Sequence, residues 1–149
     1  MFNTFTTEII TQTTQNKNHL KVAKKKAAKK ISTRRTKTNL HDTIIESIQD
    51  KKGDHIVSLD LRNITDAVAD FFILCDAEST TQVRAIAEHI SQTTGKKLKE
   101  LPYHSEGLKT LEWVLLDYVD VLVHIFQKDA REFYQLEDLW HDAKKSRFE

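Results

Sequence analysis

The chain has few of the residues that build special loops: three glycines, one proline and one cysteine in 149 residues. Three glycines exclude a phosphate-cradling loop of the usual kind, because such loops need several backbone positions that only glycine reaches easily. The lone Cys75 has no internal disulfide partner, and within the run FFILC it reads as a small buried hydrophobe, with no histidine placed to make it a catalytic thiol. No apolar run approaches bilayer-spanning length and no secretory-type segment opens the chain, so a soluble protein is expected. The histidines (His19, His41, His55, His89, His104, His124, His141) never recur at three- or four-residue spacing, which argues against a zinc site.

What is present is enough for one ordinary core: 39% of residues are hydrophobic, and a single domain is the expectation. The net charge of +1 conceals a division of the chain. Residues 1–38 carry ten basic residues against one acid, a charge of +9, and the remainder thirteen against twenty-one, a charge of −8. Low apolar content with dense like charge predicts a disordered arm over 1–38. Such an arm attaches to polyphosphate by counterion release, which makes Lys24, Lys25, Lys26, Lys29, Lys30, Arg34 and Arg35 candidate RNA contacts. The bland alternatives are a solubilising tail or a start site placed too far upstream. A transit peptide is disfavoured because lysine outnumbers arginine.

An ordered domain is expected over 39–143, with 144–149 as a tail. Asn39 would cap a helix whose stripe is Leu40, Ile44, Ile45 and Ile48, ending at a left-handed Gly53. Alternation over 55–61 gives a first strand, 62–70 is polar with a short helical possibility, and 71–75 is a buried second strand. Ser79 and Gln82 form a capping box for a helix with Val83, Ile86, Ala87 and Ile90 inward, closed by Gly95. Residues 97–101 read as a short edge strand and 102–107 as a loop. Residues 111–116 and 121–126 form a tight hairpin. A second capping box at 129–132 would open a closing helix with Phe133, Leu136 and Trp140 on one face. The sum is an α/β domain, a mixed sheet of about five strands with flanking helices.

With the hairpin loop at Tyr118-Val119, residue 117 faces 120, 115 faces 122 and 113 faces 124. One face is aliphatic: Val114, Leu116, Val121, Val123 and Ile125. The other mixes Trp113, Leu115 and Leu122 with Asp117, Asp120 and His124, a face that suits either a basic partner or a covering helix. For chemistry, the best constellation is Asp60, Asp117 and Asp120, which would hold magnesium for phosphoryl transfer, the competing reading as a metal-dependent nucleotidyltransferase-like enzyme, only if strand ends brought them together. No nucleophile or base stands beside them, so no catalytic residue, metal or cofactor is expected.

The strings ADFFILCDAESTTQVRAIAEHI (69–90), EG (106–107), WVLLDYVDVLVHIF (113–126) and AREFYQLEDLW (130–140), in unbroken order, resemble the ribosomal silencing factor family (Iojap-like, RsfS). The resemblance spans about 40–143. It implies a nucleotidyltransferase-like α/β fold without the catalytic motif, and a cytoplasmic, non-enzymatic protein. Its relatives bind the large ribosomal subunit through its fourteenth protein and block joining of the small subunit, repressing translation under nutrient limitation. The resemblance also implies a homodimer when free, with a role in large-subunit assembly as the alternative. By position it places partner contacts at His104, Glu106, Gly107, Trp113, Leu115, Asp117, Tyr118 and Asp120. Trp113 would be the apolar anchor, with Asp117 and Asp120 pairing basic groups. Relatives often have glycine where Val119 stands, and another in the loop position of Ala77.

Overall fold

The computed structural model describes residues 33–149, with side chains from Asn39 onward. Candidate contacts Lys24, Lys25, Lys26, Lys29 and Lys30 lie outside the described residues, whereas Arg34 and Arg35 fall within the first helix, α1, Thr33–Asp50. The order continues as β1 Asp54–Asp60, β2 Phe71–Ala77, α2 Thr80–Leu98, β3 His104–Glu106, β4 Trp113–Asp117, β5 Val121–Gln127, α3 Lys128–Tyr134, α4 Leu136–Leu139 and β6 Lys144–Phe148. The strands form one mixed sheet ordered β3-β4-β5-β2-β1-β6, with β2 and β5 parallel and every other pair antiparallel. The α/β class and the mixed sheet are as expected, but there are six strands.

Several boundaries move for identifiable reasons. Helix α1 starts before Asn39, so the arm's last residues are helical and Asn39 is interior. Left-handed geometry at its end falls on Lys52, φ 56°, not on Gly53. Gly53 is required instead for close approach, since a Cβ there would collide with the Ile48 side chain. Helix α2 runs through Gly95 to Leu98 and turns at Lys99, φ 58°, so the segment 97–101 read as a strand is the end of a helix followed by loop, and β3 takes the edge. Gln127, without a side-chain cap bond, opens α3, and the left-handed Gln135 breaks the expected closing helix in two. Phe133 is thereby left exposed while Leu136 is buried. The expected tail is strand β6, which pairs Phe148 with Ile56 and packs against the helix-covered core.

The Ser79 hydroxyl does accept from the Gln82 N–H, at 3.2 Å. Gln82 Oε1 reaches the Glu78 N–H rather than that of Ser79.

The hairpin pairs Trp113 with Phe126, Leu115 with His124 and Asp117 with Leu122. The anticipated register is therefore wrong by two residues, and the turn is Val119-Asp120. Tyr118 is drawn out of the turn because its side chain belongs to the helix-facing core, where its hydroxyl bonds Thr94 Oγ1 at 2.9 Å. A slip of two preserves the alternation, so both faces keep their predicted membership. The aliphatic face, with Ile73 and Cys75, packs under α1 and α2. Burial pushes the Cys75 thiol far above its ordinary range, as suits an inert core residue.

The mixed face is equally covered. Trp113, Leu115, Leu122 and Phe126 join Val57, Leu59, Phe72 and Leu74 in a second core closed by Leu136 and by partly buried Tyr134 and Trp140. Trp113 is 1% exposed. It stacks on Phe126 at 4.8 Å, meets Tyr134 at 5.1 Å and donates its indole N–H to His124 Nδ1 at 3.1 Å. Because Nδ1 accepts, Nε2 carries the proton, and it has no hydrogen-bond partner among the described residues. Burial lowers the His124 pKa to about 3.

Three outcomes follow from this packing. Trp113→Ala is expected to lower unfolding stability by about 3–5 kcal/mol in denaturant titration. The folded pKa of His124 lies below its unfolded value, so its neutral form is fully stabilising above about pH 6.5 and stability is lost as pH falls toward about 3. His124→Gln should flatten that acid limb of stability against pH by about 1.4 kcal/mol per pH unit. Val119 sits at φ 73° in a tight turn where the Asp120 N–H donates to Tyr118 O at 2.9 Å. Valine is strained there, so Val119→Gly should raise stability by about 0.5–1 kcal/mol and increase Tm.

Candidate functional site

With both faces of the hairpin covered, its accessible part is the flank formed by β3. The chain reaches this edge through the left-handed Lys99, and the Tyr103 N–H donates to Asp117 O at 2.7 Å to dock it beside β4. His104 then pairs with Asp117 and Glu106 with Leu115. Beyond β3, Gly107 takes φ 83°, a conformation glycine adopts freely, and accepts from the Leu111 N–H at 2.9 Å. Leu111 turns into the helix-side core. Leu101 is left 69% exposed, Tyr103 84% and Leu108 40%, grouped around a strand that pairs on one side only.

The surroundings are acidic. Asp117 is 7% exposed. Burial raises its pKa, opposed by the Val119 N–H bonded to its Oδ1 at 2.7 Å and by nearby His104. Glu100 is also shifted upward, first by burial and then by Asp120. His104 Nε2 meets Glu106 Oε1 at 2.5 Å. Two raised carboxylates beside an apolar rim form a site whose ionised state a cationic partner would favour.

The structure divides the expected contact residues. His104, Glu106 and Gly107 line the edge, while Asp117 and the half-buried Asp120 stand at the hairpin end beside it. Trp113, Leu115 and Tyr118 are sealed in the two cores, so the anchor assigned to Trp113 is corrected: its ring is spent on Phe126, Tyr134 and His124. Sequence reasoning passed over Leu101, Tyr103 and Leu108. Their signal was present as apolar residues interrupting a polar loop beside the only proline.

The alternative constellation does not assemble. Asp60, Asp117 and Asp120 share one end of the sheet, but Asp60 lies on β1 and Asp117 on β4, three strand spacings or about 14 Å apart. Arg62 bonds Asp60 Oδ1 at 2.9 Å and lowers its pKa. No group of three or more His, Cys, Asp or Glu among the described residues is placed to hold a metal. At the other end of the sheet a cavity of about 820 Å³ is walled by Asp54, His55, Asp76, Arg131 and Glu137, among others. Arg131 there donates to Asp76 at 2.9 Å, to His55 O at 2.7 Å and to Glu137 at 3.2 Å, a clasp that ties α3 and α4 to the sheet.

Comparison with known proteins places this arrangement. A family profile described as "Ribosomal silencing factor during starvation" matches residues 33–149. The chain is 41% identical over 102 residues to the "Ribosomal silencing factor RsfS" of Halalkalibacterium halodurans, covering 66% of this chain and 83% of that protein. It is 42% identical over 97 residues to the protein of the same name from Bacillus subtilis, covering 63% and 78%. It is also 36% identical over 73 residues to "Protein Iojap, chloroplastic" of Arabidopsis thaliana, covering 49% of this chain and 30% of that one. Among solved structures, a protein of Chromobacterium violaceum superposes with a TM-score of 0.66 at 31% identity, covering 74% of this chain and 90% of that one. One from Bacillus halodurans gives 0.62 at 35%, covering 69% and 94%. The match extends through β6 and back to the first residue of α1, and the chain belongs to the family of ribosomal silencing factors.

Proposed function

We propose that the β3 edge docks on a basic surface of the large ribosomal subunit, its fourteenth protein, and that the bulk of the domain then keeps the small subunit from joining. Translation is thereby repressed under nutrient limitation, in the cytoplasm, without catalysis. The observation that supports this reading is the pairing of exposed Leu101, Tyr103 and Leu108 with the carboxylates of Glu100, Glu106, Asp117 and Asp120. Desolvated aromatic anchors ringed by charge are what concentrate binding energy in interfaces of about 800 Å² per partner. Tyr103 takes the anchoring role that Trp113 lacks the exposure to play. The basic arm adds salt-sensitive contact to ribosomal RNA, and a second copy covers exposed Phe133 and Leu139 when the chain is free.

The protein should sediment with free large subunits and be absent from intact ribosomes. Leu101→Ala/Tyr103→Ala should reduce the bound fraction about tenfold or more with Tm unchanged, since both side chains are largely outside the core. Full binding by that double variant would overturn the placement of the interface. Sedimentation with intact ribosomes would overturn the steric mechanism.

A further inference from the structure

The sheet has a second edge, and its chemistry is opposite to that of β3. Among the described residues strand β6 pairs only with β1, and its residues Lys144, Lys145, Ser146 and Arg147 are all exposed. Lys145 approaches Glu137 at 3.8 Å; Lys144 and Arg147 project to opposite sides, in register with Asp60 and Val57. The cations thus flank the open edge on both faces, and the edge itself presents outward-facing backbone N–H and C=O groups between them.

The start of helix α1 lies toward the same edge. Two contacts set its direction: His41 Nε2 meets Ser58 Oγ at 2.8 Å, and the Gln49 side-chain N–H donates to Glu149 O at 2.5 Å. The helix therefore runs from the Asp60 and Lys144 end of the β1–β6 pair toward the Ile56 and Phe148 end. Thr33 lies eight residues before His41, about 12 Å further along the axis, which carries the start of α1 past the last β1 residue on the Lys144 side. Arg34, Arg35 and Lys37 occupy the first turns of α1, and the lysine block precedes them in the chain. The nearby acids have partners of their own: Asp60 is bonded by Arg62 and also feels Lys144, Asp42 meets His41, Asp142 meets His141 and Glu137 meets Arg131.

We infer that β6 and the start of α1 form one polyanion-binding edge that takes the phosphate backbone of RNA. A phosphate backbone laid along the edge would meet cations from both faces of the strand, and no base-reading pocket is needed. This extends the RNA contact proposed above from the arm to a folded strand, and it is independent of the β3 interface.

The test uses the full chain and fluorescein-labelled oligouridylate, with affinity measured by anisotropy across a salt series. Lys144→Gln/Arg147→Gln is expected to flatten the slope of log K against log salt by about 1.4, at about 0.7 per single-strand phosphate contact. Replacing Lys24, Lys25, Lys26, Lys29 and Lys30 by Gln should flatten it further, and Leu101→Ala/Tyr103→Ala should leave it unchanged. An unchanged slope in the β6 variant overturns the proposal. So does tighter binding to phosphatidylglycerol vesicles than to RNA, which would identify a membrane as the occupant. Loss of subunit binding in the β3 variant with an intact RNA slope separates failure of one interface from failure of the other.

Discussion

The β4–β5 ribbon is inserted between two apolar layers, and that double burial governs what else the molecule is free to do. On one side α1 and α2 press on Val114, Leu116, Val123 and Ile125; on the other α3, α4 and the 62–70 loop close over Trp113, Leu122 and Phe126. At about 25 cal/mol per Å² of apolar surface, the largest ring in such a stack is worth more to the fold than to any transient interface. A residue whose removal leaves a large cavity in a packed layer is not available to slide onto a partner. The strand edges remain, with their backbone groups and the loops that enter and leave them.

That constraint explains where sequence reasoning succeeded and where it failed. The alternation of β4 and β5 put the strand side chains it assigned on the correct faces, because face membership depends on period alone and survives a two-residue slip. Which mixed face would be covered depended on α3 and α4, short helices whose packing is set by the Arg131 clasp to Asp76, His55 O and Glu137. Those partners are 55, 76 and 6 residues away in sequence, and no local pattern announces them. The amphipathic stripes of α1 and α2 were legible for the converse reason: Leu40, Ile44, Ile45 and Ile48, and Val83, Ile86, Ala87 and Ile90, declare their buried side within one element.

Chain reversals were the least legible feature, and the scarcity of glycine is the reason. Positive φ falls on Lys52, His55, Asp66, Lys99, Leu111, Val119 and Gln135, with Gly107 as the one glycine so placed. Each non-glycine turn stores local strain that tertiary contacts must overcome. Leu111 is held by burial in the helix-side core, Lys99 by its N–H to Thr94 O, and Val119 by the Asp117 carboxylate accepting its N–H. Reading glycine as the marker of left-handed backbone therefore misplaced the ends of α1 and α2. At Val119, the position where the family resemblance called for glycine, the backbone does adopt the glycine-like conformation, and it is the side chain that departs.

A sheet with unlike edges separates two kinds of recognition. Six strands at about 4.8 Å per spacing put the outer strands about 24 Å apart, too far for the charges of one to be felt at the other across physiological salt. The acidic carboxylates beside β3 and the cations of β6 are therefore electrostatically independent surfaces, although the formal charge sums to only +1. Held on opposite flanks by a rigid sheet, the two signs face outward. Under the docking proposed above, a domain held through its acidic edge would still turn its basic edge outward, with the sheet between them a spacer of fixed width.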